Sequence, residues 1–171
     1  MSSDLSILVT LNEHYLPQLE VMLTSLHASN PGENVSVWLI HRSLTSEQLA
    51  RLERRCGLLG FSLHPVTADA HLFADAPLTR QYPQEMYYRL LAAQLLPEEM
   101  HRVIYLDPDI LVINPLRPLW ELDLAGNLFA AAAHTGKTEL ANSVNQVRLG
   151  TDHDYFNSGV LLMDLDAGRR W

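Results

Sequence analysis

Cysteine is almost missing from the chain: among 171 residues there is one, Cys56, in "RRCGLLG". No intrachain disulfide can form, so nothing points to an oxidising compartment. Free cysteines are mostly buried, and the position of Cys56 at the end of a helical pattern predicts a small core residue rather than a reactive thiol. Positive charge is also short. Lys and Arg total 12 against 20 Asp and Glu, a net charge of −8. That argues against a general nucleic-acid binder, which shows a basic face, yet leaves room for a local site that takes a small anion. Long apolar runs are missing too. "MSSDLSILVTLNEHYL" has no basic stretch ahead of a long apolar one, and no run reaches the length of a membrane span. The expectation is an intracellular, cytoplasmic protein with no signal peptide and no transmembrane segment. Repeats, low-complexity tracts and inter-domain linkers are likewise not seen. With 47% hydrophobic and 19% charged residues, the composition is globular and predicts a single domain, 1–171, with a sizeable core.

What is present alternates between strand and helix. "LSILVTL" (5–11) is a continuous β-rich run, as expected of a strand buried on both faces. In "YLPQLEVMLTSLHASN" the residues Leu19, Met22, Leu23 and Leu26 keep helical spacing, and "NPG" (30–32) ends the helix. "VSVWLIH" (35–41) predicts a second strand. "SLTSEQLARLERRCG" predicts a second helix with Thr45 as N-cap, Gln48 completing a capping box and Gly57 as the stop. "FSLHPV" (61–66) predicts a third strand. This β-α-β-α-β order predicts an α/β fold with a mostly parallel sheet and helices on its faces.

Residues 67–83 have no clear period and form a candidate binding loop. "QEMYYRLLAAQLLP" (84–97) predicts a helix with Tyr87, Leu90, Leu91, Gln94 and Leu95 on one face. "RVIYLDPDILVI" predicts a strand running into two aspartates, with a short second strand after them. "NPLRPLWELDL" predicts a turn and short helix, and "LFAAAAH" (128–134) and "FNSGVLLMDL" (156–165) predict further strands.

Asp107 and Asp109 close the run "VIYL" with Pro108 between them. Side chains alternate along a strand, so both carboxylates point to one side if the backbone stays extended, with Cα atoms roughly 6.6 Å apart. Such a pair can converge on a hard divalent cation such as Mg²⁺ or Mn²⁺, which prefers oxygen ligands. In open α/β sheets, ligands sit beyond the carboxyl ends of strands, where this pair falls. A bare Asp-x-Asp beside proline is equally compatible with turn formation or helix capping. Phosphatases of the haloacid dehalogenase type also place Asp-x-Asp after an apolar strand, but near the chain start and ahead of a lysine and an acidic pair. Here the motif lies late, and Lys137 is the only lysine downstream.

Taken together, "ILVTLNEHYL", "EMYYRLLAAQLLP", "RVIYLDPDILVINPLRPLW" and "YFNSGVLLMDL" resemble glycosyltransferase family 8. These are retaining enzymes with the GT-A fold, a Rossmann-like nucleotide-sugar-binding architecture. The segments keep the family's order and cover nearly the whole chain. The resemblance implies that Asp107 and Asp109 hold the metal, usually Mn²⁺, which bridges the two phosphates of a nucleotide sugar, with Asp107 and Pro108 also near the nucleotide. It implies that Thr10, Leu11, Asn12, Glu13 and His14 form the loop around base and ribose, that Arg89 contacts the donor and that Asn157 lines the sugar site. Plainer roles compete: Arg89 could form a surface ion pair with Glu85, Asn157 could cap its strand, and His14 and His134 could be surface polar residues. His153 and Asp154 lack further close ligands for zinc, and "TGKTE" lacks the glycine spacing of a P-loop.

Two departures stand out. Asn12 takes a position where the family often has aspartate; it can accept a hydrogen bond but adds a donor and lacks charge. The family's later histidine, the third protein ligand to the metal, has no counterpart, so the chain resembles the donor-binding front portion of a family enzyme. The resemblance implies transfer of a hexose from UDP-glucose or UDP-galactose to a saccharide, lipid-linked or protein hydroxyl. Front-face attack would retain the anomeric configuration. A non-catalytic nucleotide-sugar-binding or assembly module is the alternative, and a homo-oligomer is compatible with either.

Overall fold

The computed structural model describes residues 4–69, 71–72, 84–133, 146–148, 150 and 156–171. Most of the 67–83 segment, together with His134, Lys137, His153 and Asp154, lies outside the described residues. The strands are β1 (Leu5–Thr10), β2 (Val35–His41), β3 (Phe61–Thr67), β4 (Arg102–Leu106), β5 (Phe129–Ala133) and β6 (Phe156–Asp164). They form one sheet in the order β3-β2-β1-β4-β6-β5. β1 pairs in parallel with β2, where Ile7 faces Val37, and with β4, where Ile7 faces Ile104; β2 and β3 are also parallel. β6 is antiparallel to both β4 and β5. Five strands therefore share one direction, and the sheet is mixed but mostly parallel.

Alternation along the strands divides the core between the two faces. On one side Ile7, Val9, Val37 and Leu39 meet Leu19, Met22, Leu23 and Leu26 of α1 (Leu16–Ser29) and Leu52 and Cys56 of α2 (Ser46–Leu58). On the other, Leu8, Ile40, Tyr105 and Leu161 meet Tyr88, Ala92 and Leu165. These three come from a 3₁₀ helix at Gln84–Leu91, from α3 (Ala92–Leu95) that continues it, and from the last helix, called α5 here (Leu165–Arg170). Each fully buried leucine of α1 contributes about 1.5–3 kcal/mol of apolar burial. The chain leaves β1 toward one face and enters β4 from the other, so the carboxyl ends of these neighbours diverge. That is the switch point at which doubly wound sheets open a crevice.

Local signals explain most boundaries. The Thr45 capping box forms: the Gln48 N–H donates to Thr45 Oγ1 at 3.2 Å, and the Thr45 N–H donates to Gln48 Oε1 at 2.8 Å. Helix α2 passes Gly57, the expected stop, and ends at Leu58, because the left-handed turn is supplied by Gly60 (φ +73°). Cys56 is buried as expected, and burial pushes its thiol up to about 11, with Arg55 opposing and Glu53 adding to the shift.

Two expectations fail. Residues 110–113 are not a strand. Side chains of α1 supply the partners a neighbouring strand would offer: the Val112 carbonyl accepts from Ser29 Oγ at 2.6 Å, and the Val112 N–H donates to Ser25 Oγ at 3.0 Å. Asn30 extends the clamp, its Oδ1 accepting from the Leu116 N–H at 2.7 Å, and Arg117 of the short helix α4 (Arg117–Trp120) pairs with Glu33. The second failure is the helix at 84–97. It begins as 3₁₀, which turns about 120° per residue rather than 100°, and it presents Glu85, Tyr88, Arg89, Ala92, Ala93 and Leu96 inward while Leu90 is exposed. Counting apolar letters misses this because polar groups on this helix face a site rather than solvent.

Two consequences are measurable. Asn30 is buried, so Asn30→Ala leaves the Leu116 N–H without its acceptor. The expected loss is about 1–3 kcal/mol in urea unfolding. His41 is also buried; its Nδ1 accepts from the Leu44 N–H at 3.4 Å, and its Nε2 has no partner among the described residues. Burial holds its pKa below the ordinary 6.5. The unfolded chain therefore binds the proton more readily, and the stability contributed by neutral His41 is complete above about pH 6.5 and lost as pH falls through the folded-state value. Thermal midpoints measured from pH 7.5 to pH 5 should fall more steeply for the unmodified chain than for His41→Gln.

Candidate functional site

β4 ends at Leu106, and Asp107 is the first residue beyond it. Its N–H donates to the Gly159 carbonyl at 2.8 Å, which extends the β4–β6 ladder by one step. The backbone then turns at Pro108 and Asp109 rather than staying extended, as the alternation argument had assumed. Both carboxylates nevertheless line one cleft of about 180 Å³ at the β1–β4 divergence.

Asp107 is held from two sides. Tyr105, two residues earlier on the same face of β4, donates its hydroxyl to Asp107 Oδ1 at 2.5 Å. Burial pushes the Tyr105 phenol up, Arg89 opposes the shift and Asp107 adds to it, so the group remains a neutral O–H donor at neutral pH. Arg89 Nη1 reaches the same Oδ1 at 3.3 Å and donates to the Ser158 carbonyl at 2.8 Å, while its guanidinium carbon lies 4.7 Å from the Tyr105 ring centre. Arg89 is buried and pairs with Asp107, not with Glu85 on the surface.

β6 delivers the other wall. Ala131 faces Leu161 but Ala132 faces Asn157, so Ser158, Gly159 and Val160 bulge away from β5. The same residues follow β4 instead, Leu106 facing Val160. Bulges of this kind re-aim a strand beside a site. Here the bulge lays Gly159 against Asp107: a Cβ at Gly159 would sit 2.7 Å from Asp107 Oδ2 and 3.0 Å from Asn157 Oδ1.

The structure gathers Thr10, Leu11, Asn12, Arg89, Asp107, Pro108 and Asp109 around the cleft. The His14 side chain lies off this lining and is largely exposed, and its backbone N–H donates to Asn12 Oδ1 at 3.1 Å. Asn157 is exposed, and its Oδ1 accepts from the Gly159 N–H at 2.7 Å. Sequence reasoning missed Tyr15, Glu85 and Tyr105, which also line the cleft, and Gly159 beside it. Tyr105 was open to discovery, since it shares a strand face with Asp107; Glu85 and Gly159 carried no local signal.

Among the described residues no group of three His, Cys, Asp or Glu side chains is gathered as a metal centre. The donor set still fits a hard cation. With Oδ1 engaged, Asp107 keeps Oδ2 without a protein hydrogen bond among the described residues, and Asp109 is exposed at the cleft. Two carboxylates with space for phosphate and water suit Mg²⁺ or Mn²⁺.

The sheet order, the crevice and the paired aspartates define a GT-A nucleotide-sugar-binding fold. The chain matches the description "Glycosyl transferase family 8" over residues 6–170, and it belongs to that family. It is 27% identical to General stress protein A of Bacillus subtilis over 161 residues, covering 93% of this chain and 55% of that protein. It is 28% identical to lipopolysaccharide 1,2-glucosyltransferase of Escherichia coli, covering 99% of this chain and 49% of that protein. A crystal structure of the galactosyltransferase LgtC with donor and acceptor sugar analogues superposes with a TM-score of 0.88 at 25% identity, covering 98% of this chain and 60% of that one. The chain thus spans about half the length of the curated relatives it matches.

The contact at Gly159 sets a test. Gly159→Ala forces its methyl against Asp107 Oδ2 or displaces the bulge, so nucleotide binding measured by calorimetry should weaken at least tenfold. Strain of this kind costs about 1–3 kcal/mol, so the variant should still unfold cooperatively by circular dichroism.

Proposed function

We propose that this chain is the donor-binding part of a retaining hexosyltransferase that takes UDP-glucose or UDP-galactose and passes the hexose to an acceptor hydroxyl with the help of Mn²⁺ or Mg²⁺. The observation that carries the reading is the Asp107 carboxylate. Tyr105 and Arg89 hold one of its oxygens, and the other remains available beside Asp109 at the carboxyl end of β4. Bound there, the cation would supply Lewis-acid stabilisation of the diphosphate leaving group. The protein contributes position and charge. Asp107 and Asp109 would hold the cation, Arg89 presents positive charge to the phosphates from behind Asp107, and Thr10, Leu11 and Asn12 flank the nucleoside. Arg89 is already fixed by Ser158 and Asp107 before any ligand arrives, which limits the reorganisation needed when charge develops. Front-face attack by the acceptor hydroxyl accounts for retention without a covalent intermediate. Asn157, whose Oδ1 accepts from the Gly159 N–H, and the exposed His14 would contribute from outside the cleft lining.

Calorimetry tests the reading. UDP and Mn²⁺ should each strengthen the other's binding by the same factor, because linkage is reciprocal, and Asp109→Asn should reduce that factor. UDP affinity indifferent to Mn²⁺ in the unmodified chain would remove the metal from the site.

A further inference from the structure

The cleft holds a carboxylate to which neither the paired aspartates nor the arginine gives a role. Glu85 is 5% exposed and lines the cleft, yet its carboxylate makes no hydrogen bond or ion pair with any described residue. Because Glu85 lines the cleft, a ligand there can reach its carboxylate. Burying a carboxylate without a partner is costly. Its position in the first turn of the 3₁₀ helix eases that cost but does not pair it.

We propose that Glu85 is a specificity-determining residue that accepts a hydrogen bond from a neutral N–H or O–H donor on the nucleoside half of the sugar donor, an inference that rests on the nucleotide-sugar reading above. Three observations set the chemistry. Arg89, which meets Asp107 and Ser158, lies four residues further along a helix rising about 2.0 Å per residue. Glu85 is therefore set back roughly 8 Å along the axis from the phosphate-facing charge. A carboxylate repels a diphosphate, so its ligand is a neutral donor group. Asn12, across the same cleft, already accepts the His14 N–H on its Oδ1 at 3.1 Å, which leaves one neutral lone pair and its amide N–H groups for a ligand. Glu85 thus supplies the charged acceptor that Asn12 does not. A nucleoside offers two neutral donors of this type, the imide N–H of uracil and the ribose hydroxyls.

The test compares UDP with inorganic pyrophosphate, each with Mn²⁺, by calorimetry on the unmodified chain, Glu85→Gln and Glu85→Asp. A hydrogen bond to a charged acceptor is worth roughly ten- to hundredfold in affinity. Glu85→Gln should lose that much for UDP, Glu85→Asp should lose less, and pyrophosphate should bind all three alike or Glu85→Gln more tightly. Without ligand, Glu85→Gln should melt no lower than the unmodified chain, since it removes an unpaired buried charge. On the unmodified chain, either N3-methyl-UDP or 2′-deoxy-UDP should lose affinity relative to UDP, and that loss should shrink in Glu85→Gln; which one does so identifies the donor group. Equal UDP binding by the unmodified chain and Glu85→Gln would overturn the inference. So would equal losses for UDP and pyrophosphate, a lowered melting point or failure of Glu85→Gln to fold, all of which mark a structural role, and so would weakened binding of Mn²⁺ alone, which marks a cation ligand. An unmodified chain that binds pyrophosphate but not UDP would sink the nucleotide-sugar reading itself and this inference with it.

Discussion

The site depends on holding a half-buried carboxylate at the end of β4. Asp107 leaves water to sit against Gly159, and a carboxylate withdrawn from water needs partners to offset the cost. Two donors of different kind meet one oxygen: the neutral Tyr105 hydroxyl from the same strand face and the Arg89 guanidinium from the opposite layer. Arg89 is itself buried, and its hydrogen bond to the Ser158 carbonyl keeps its charge from being left to one partner. Removing one member of a buried charged pair is far more costly than the pair's net worth. The carboxylate, the arginine and the tyrosine are therefore one unit, and the 3₁₀ start of the helix and the β6 bulge are the backbone adjustments that bring its parts together.

Most of the scaffold was legible because its signals are local. The capping box at Thr45 and Gln48, the apolar spacing of Leu19, Met22, Leu23 and Leu26, and the uninterrupted run of β1 each follow from a few neighbouring residues. The aspartate pair was legible for the same reason. What could not be read depends on distant partners. Residues 110–113 have strand composition, but Ser25 and Ser29 of α1 and Asn30 just beyond it satisfy the neighbouring backbone and no strand forms. Leu90 belonged to the expected buried face of the 84–97 helix and lies in solvent, because Arg89 takes the inward direction toward Asp107. Gly159 is silent in sequence, since its role is the space it leaves for a side chain fifty-two positions earlier (159 − 107).

Polar groups stand close to the carboxyl ends of the parallel strands. His41 Nε2 is enclosed without a hydrogen-bond partner among the described residues, and Glu85 lines the cleft. Away from the site buried polar groups are served unevenly: Asn30 bridges Leu26 and Leu116, and Arg169 gathers the Ala93, Pro97, Glu98 and Met100 carbonyls, whereas Trp38 Nε1 and Arg55 Nε have no partner among the described residues. The cleft is thus one of several places where the fold leaves polar groups for solvent or a ligand to complete.

The charge balance of the cleft determines what that ligand must bring. Among the described residues lining the cleft, three carboxylates, Glu85, Asp107 and Asp109, face the guanidinium of Arg89, and the chain as a whole carries −8. A diphosphate alone would enter an already negative site. A cation alone would find two carboxylates, one offering a single free oxygen and the other in high-dielectric surroundings where attraction is weak. Neither partner is well matched by the protein by itself, whereas together they neutralise one another and fill the same coordination sphere. On the proposed reading, interdependence of metal and nucleotide would follow from how Tyr105 and Arg89 consume one oxygen of Asp107: by fixing the carboxylate they also limit it, and they would leave the remaining ligands of a cation to be supplied by phosphates.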